Sequence, residues 1–387
     1  MIYVAIPVMN EPQAVAFVKN LCRQIVLPKG VFVCVNQPSA FWKDSSKRHI
    51  AETNIKVLAE LQELCSSLPF TLEILDYCSV GMDERHVGVG WARKLALDAI
   101  NDIASPKDVM VWMDADTVYP DNYLEEVAKV FSENSNVAGL TNPYYHSLDG
   151  FDNAQQITAL RYEIYMRAYL INLYRSNNPY CFTAIGSGVA STVKAYRKIG
   201  GITPVKSGED FYFIQKLCKT GFVSAYSDVL CYPSIRASDR VFFGTGPSII
   251  KGLLGDWKSY PIYPFELFRE VEDIYKSFDR MWDRTDDGVA VLDVSTIEKF
   301  KSNSKTKEQF IKFCTEKFDA LRTLQYLKSR HIQDDITDEE NLGELLEWCG
   351  YNGDISDLKN VRQTLFEKEM LLRRTYICSL TNFREEI

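Results

Sequence analysis

Short apolar runs rich in β-branched residues alternate with stretches of helical spacing through the first third of the chain. Residues 3–6 read YVAI and stop at Pro7, and Ala14, Phe17, Val18 and Leu21 then repeat on one helical face, with Pro12 tolerated in the first turn. Residues 31–35, VFVCV, are apolar throughout, as strands buried on both faces are. A helix carrying Val57, Leu61, Leu64 and Cys65 on one side follows, then a strand at 71–75, a helix at 91–100 and a strand at 109–113. Strand and helix in alternation predict a parallel sheet covered by helices. Ligands of such sheets sit beyond the carboxyl ends of the strands. Asn10, Glu11, Asn36, Asp76, Asp114 and Asp116 all fall at those ends.

The segment VWMDADTVYP sets two carboxylates two residues apart directly after an apolar run. If Asp114 and Asp116 continue the strand, they share a face, where like charges repel and burial sharpens the repulsion. A hard divalent cation such as Mg²⁺ relieves that conflict. The alternative is a turn, since Asp is common after strands and at the helix start that Pro120 and Asp121 suggest.

The 387 residues suffice for more than one domain. With 46% hydrophobic and 25% charged residues, the composition is that of an ordinary globular chain. No run approaches the ~18 apolar residues of a membrane span, and the first residues lack a basic, apolar leader. The ten cysteines stand singly and without Cys-x-x-Cys, which fits reduced thiols and a cytoplasmic location. The net charge of −8 argues against a nucleic-acid partner. From about residue 261 the pattern becomes helical, with stripes at Ile311, Cys314, Phe318 and Leu321 and at Leu358, Val361, Leu365 and Leu372. Thr337 with Glu340 has the form of a capping box. Two regions are expected: 1–260, which carries the site, and 261–387, a helical C-terminal region. Its apolar stripes need a core or a homodimer through the C-terminal helices to cover them.

Five motifs then fall in order along the first region: AIPVMNEP, GVGWARKLALDAI, MDADTVYPDNYLEEV, TAIGSGVASTVKAYRKIGGIT and SGEDFYFIQKLCKTG. Together they resemble the family 2 glycosyltransferases of the GT-A fold. The fold so implied is α/β: a Rossmann-like mixed, mainly parallel sheet flanked by helices, followed by the all-helical region.

The resemblance implies a metal-assisted, inverting transfer of a sugar from a nucleotide-diphosphate-sugar to a hydroxyl of a glycan or lipid-linked acceptor. A lipid-linked acceptor would bring the protein to a membrane surface peripherally. Asp116, with Asp114 more distant, would hold Mg²⁺ or Mn²⁺ against the diphosphate. Asp210 would take the proton from the acceptor, and Glu209 would orient it; as plain chemistry, Glu209 and Asp210 also suit a helix cap. Pro7, Glu11 and Asn36 match positions lining the base and ribose pocket. Asn36 stands where Asp is common, so it can accept a hydrogen bond without bringing charge. Arg93 matches an Ala-Arg pair, although Lys94 stands where Asn is usual, and a surface salt bridge is the alternative. Gly186 and Ser187 belong to the Gly-Ser-Gly segment and complete the donor-binding set with Asp114.

SIRASDRVFFGTG carries Arg236 and Arg240 four residues apart. In the family this region closes over the diphosphate, a task that suits arginine, while an ordinary basic surface loop is the alternative. Some members supply a metal-binding His here; His49, His86, His146 and His331 all lie elsewhere, which leaves phosphate, water or Asp239 as further ligands. A sugar-nucleotide pyrophosphorylase would need a Gly-rich basic N-terminal loop, which Pro7 to Glu11 do not offer. A non-catalytic GT-A-like binding or assembly module is the remaining alternative.

Overall fold

The computed structural model describes residues 1–284, 291–331 and 335–382, without the side chains of 335–336 and 377–382. By internal contacts the chain divides into two units. One comprises Met1–Ala159, Phe182–Gly255 and Tyr376–Ile387; the other comprises Leu160–Cys181 and Asp256–Thr375.

The first unit is built on a sheet of seven strands: β1 (Ile2–Val8), β2 (Gly30–Pro38), β3 (Thr71–Met82), β4 (Val109–Trp112), β5 (Val137–Thr141), β6 (Val189–Thr192) and β7 (Phe222–Ser224). Their order is β3-β2-β1-β4-β6-β5-β7. β1 runs parallel to β2 and β4, with Val4 opposite both Val31 and Val111. β2 runs parallel to β3, and β5 to β7. β6 is antiparallel to both of its neighbours. This is the expected mixed, mainly parallel sheet. All four residues of β4 and six of the seven in β1 are buried, as the unbroken apolar runs require.

The helices of this unit are α1 (Ala14–Asn20), α2 (Arg48–Leu64), α3 (Val89–Ile103), α4 (Tyr123–Glu133), the first turns of α5 (Asn153–Arg175), α6 (Val193–Lys198), α7 (Glu209–Thr220) and α8 (Thr245–Leu253). The direction of β6 matters for the site. Because it runs against β4, its entry turn, Gly186 to Gly188, arrives at the edge where β1 and β4 end.

The second unit is helical. Beside the rest of α5 it holds α9 (Phe265–Asp283), α10 (Val294–Asn303), α11 (Lys307–Lys317), α12 (Ala320–Arg330), α13 (Asp335–Cys349) and most of α14 (Leu358–Asn382). On α9, Leu267, Phe268, Val271, Ile274, Phe278 and Met281 are buried at helical spacing. Val361 and Leu365 of the expected stripe pack with Ile164, Ala168, Ile171, Leu345 and Leu346. The stripe through Ile311 and Leu321 is split by the break between α11 and α12, although Cys314 and Phe318 are buried. Thr337 lies inside α13, which begins at Asp335, so it is not the expected cap. The sequence reading also missed a buried ionic cluster in this unit. Arg167 bonds Glu163 at 2.6 Å and Glu369 at 2.7 Å, and Arg373 bonds Glu369 at 2.7 Å.

Candidate active site

β4 stops at Trp112, so Asp114 and Asp116 do not extend the strand; they lie in a turn closed by a hydrogen bond from the Thr117 N–H to the Asp114 carbonyl. The same-face argument therefore fails, and the two carboxylates take different partners. Asp114 accepts from Arg93 Nη2 at 2.6 Å, and Asp116 accepts from Arg236 Nη2 at 3.0 Å.

Arg93 rides on the buried stripe of α3 with Leu97 and Ile100, which turns its guanidinium inward over the indole of Trp112 at 5.4 Å. Its other branch donates to Glu209 Oε1. It thus ties the turn after β4 to the first residue of α7. Gly186 makes room for it, since a Cβ there would stand 2.5 Å from both terminal nitrogens of Arg93. Tyr119 closes the same corner: its hydroxyl accepts from the Asp114 N–H at 3.0 Å and donates to the Ser187 carbonyl at 2.9 Å. Burial, with Tyr123 and Asp114 nearby, raises its pKa and keeps that hydroxyl protonated.

Glu209 and Asp210 open α7 after Gly208, whose φ of 79° favours glycine. Glu209 belongs to the buried stripe with Phe213 and Leu217. Asp210 Oδ1 accepts from its neighbour's N–H, that of Phe211, at 2.7 Å. Burial raises the pKa of both carboxyls, and Arg93 opposes the rise in each. For Arg93 itself burial disfavours the charge, but Asp114, Glu209 and Asp210 overcome it and raise the pKa.

On the other side of the turn, Glu11 takes Arg236 at 2.5 Å and Arg240 at 2.6 Å; Arg240 also donates to the Met9 carbonyl at 2.6 Å. Burial, with Glu11 and Asp114 nearby, pushes Asp116 up to about 6, although Arg236 and Arg240 pull it down. A continuous line of charge results: Arg240, Glu11, Arg236, Asp116, Asp114, Arg93, Glu209 and Asp210.

Asn36 is buried and bonded on both sides of its amide, donating to the Val8 carbonyl at 3.1 Å and accepting from the Gly88 N–H at 3.3 Å. Pro7 lies on β1 opposite Cys34. These two sit at the β1–β2 end of the sheet. The sequence reading missed Tyr119 and Trp112. It could have placed Arg93 indoors, since Leu97 and Ile100 share its helical face.

Among the described residues no group of three or more His, Cys, Asp or Glu side chains is placed to hold a metal ion. The charged line nonetheless fits a divalent cation. It holds five carboxylates against three guanidiniums, an excess of two negative charges that a divalent cation would neutralise; burial first, and neighbouring carboxylates second, raise the pKa values of Asp116, Glu209 and Asp210.

The family model described as glycosyl transferase family group 2 matches residues 109–271. No curated protein matches the chain. Among solved structures, S. aureus TarS 1–349 in complex with UDP-GlcNAc aligns at a TM-score of 0.42 and 13% identity, over 98% of this chain and 92% of that one. The same fragment in complex with UDP aligns at 0.41 and 12%, over 98% and 91%. Likeness at that level places no ligand and no chemistry in this chain.

Proposed function

We propose that this chain, whose residues 109–271 match the family model of the group 2 glycosyltransferases, is one of them and moves a sugar from a nucleotide-diphosphate-sugar to a hydroxyl of a glycan or lipid-linked acceptor, with inversion. The observation that carries this reading is the line of charge from Arg240 to Asp210, because it sets cations for a leaving diphosphate at one end and a carboxylate base at the other.

Asp210 is the base. Its pKa, raised by burial against the pull of Arg93, brings it nearer the neutral range in which a general base works best. It takes the proton of the acceptor hydroxyl as that oxygen attacks the anomeric carbon, and the sugar–phosphate bond breaks with its electron pair leaving on the diphosphate. Glu209, fixed by Arg93, holds the first turn of α7 and its base in place. Arg236 and Arg240 neutralise the departing diphosphate, which requires them to exchange Glu11 for phosphate oxygens. Asp114 and Asp116 would hold Mg²⁺ or Mn²⁺, which supplies further neutralisation of charge on the leaving group when bound. Pro7 and Asn36 border the base and ribose from the β1–β2 end, and Gly186 and Ser187 line the sugar side.

Calorimetry with a panel of nucleotide-sugars, with and without Mn²⁺, tests the reading. One donor should bind with clear dependence on the ion. If none binds under either condition, the transferase reading falls.

A further inference from the structure

Residues 236–243 form a strap fastened at both ends. At the donor end Arg236 reaches Glu11 and Asp116, while Arg240 reaches Glu11 and the Met9 carbonyl. At the other end the N–H of Phe243 donates to Ser207 Oγ at 3.0 Å, and that hydroxyl donates back to the Phe243 carbonyl at 3.5 Å. Ser207 directly precedes Gly208, the cap of the helix that begins with Glu209 and Asp210.

This fastened end carries two consecutive exposed aromatic rings. Phe242 is 65% and Phe243 68% exposed, although phenylalanine is among the side chains most often buried. Packing does not account for them. The backbone of Phe243 is tied to Ser207, three residues before Asp210, and the guanidiniums of the strap are paired inward with Glu11 and Asp116. Asp239 is exposed on the same strap, where a membrane-docking loop would instead present cations.

We propose that Phe242 and Phe243 are the platform on which a sugar ring of the acceptor stacks, so that its hydroxyl is presented to Asp210. A pyranose ring has an apolar C–H face and a hydroxyl rim, and an aromatic ring matches the face while leaving the rim free for the base. The inference deepens the transferase reading and rests on it. It makes the phenylalanine pair the determinant of acceptor affinity, distinct from donor binding.

The test uses the full chain with its donor, and methyl glycosides, cellobiose, chitobiose and lactose as probe acceptors. Donor turnover is followed with and without each saccharide for the wild type, Phe242→Ala, Phe243→Ala, the double variant and Phe242→Trp. The expected result is a saccharide that accelerates turnover, with its KM raised roughly tenfold per ring removed and restored by Trp. Donor affinity and the slow transfer to water should stay unchanged. An unchanged acceptor KM in the double variant overturns the platform and leaves the transferase standing, as does a panel in which no saccharide accelerates turnover. So does binding to anionic phospholipid vesicles that the double variant loses without any change in acceptor KM, for the rings would then be a membrane anchor. A wild type that neither binds nor hydrolyses any nucleotide-sugar overturns both readings.

Discussion

Replacing Arg93 by Met removes the one cation that joins Asp114 to Glu209. Arg93 is 4% exposed and the Glu209 side chain 3%, while Asp114 at 27% retains some access to water. Removing one partner of a buried pair typically costs ~3–5 kcal/mol, because the remaining charge is stranded, and domains as a rule have only ~5–15 kcal/mol in total. The variant has one escape, which is to protonate Glu209. Its pKa is already raised by burial, and Arg93 is the group holding it down, so the substitution raises it further. The unfolded chain gives up that proton near the ordinary value of 4.5, whereas the folded variant keeps it. The folded wild type also keeps this proton up to about 7, so the cost of the substitution is flat below that pH and grows above it, where the wild type sheds the proton and the variant does not. Urea unfolding of the wild type, Arg93→Met, Glu209→Gln and the double variant, between about pH 5 and pH 8, measures this. The cost of Arg93→Met should increase as pH rises past about 7, and adding Glu209→Gln should recover part of it. A cost below about 1 kcal/mol, or one independent of pH, would refute the idea that Arg93 holds these carboxylates together.

Gly186→Ala places a methyl 2.5 Å from both terminal nitrogens of Arg93, so it should cost ~1–3 kcal/mol by overpacking; a thermal melt equal to the wild type would show that the guanidinium moves aside freely. Asp116→Asn should keep the fold and lose most of the Mn²⁺-dependent donor affinity. In the wild type Asp116 is partly protonated below about 6, so Mn²⁺ binding should release protons at pH 5.5 and hardly any at pH 7.5, as calorimetry in buffers of different ionisation enthalpy would reveal. In the helical unit, Arg167→Met removes the cation shared by Glu163 and Glu369, which keep Arg362 at 3.6 Å and Arg373 at 2.7 Å, and should destabilise by ~1.5–3 kcal/mol; denaturant unfolding unchanged by the substitution would mean that the cluster is not a structural element.

The apolar runs at β1, β2 and β4 were legible because a strand buried on both faces is apolar along most of its length, and their carboxyl ends pointed to one edge. Strand direction was not legible. VAST in β6 reads the same whichever way it runs, yet its antiparallel course brings Gly186 and Ser187 to Asp114. Residue types for diphosphate and proton chemistry could be recognised from their motifs, but pairings across the chain could not. Glu11 was read as a ribose contact, and it faces two arginines more than two hundred residues away. Arg93 was read as a donor contact and sits between carboxylates. Glu163 and Arg167, spaced i, i+4, look like an exposed helix pair; they are buried because Glu369 and Arg373 of α14 complete their bonding, a partnership no local pattern announces.

Asp210→Asn probes the central claim most directly. The amide keeps the shape of the carboxylate and cannot take a proton at neutral pH, while the arginines and aspartates of the donor end are left in place. Transfer rate and donor affinity are measured side by side with a working acceptor. General-base catalysis contributes ~10²–10⁴-fold, so transfer should fall by about that factor while donor affinity stays nearly constant. Transfer close to the original rate, or a collapse of donor affinity along with it, would contradict the role given to Asp210 and with it the mechanism proposed for this site.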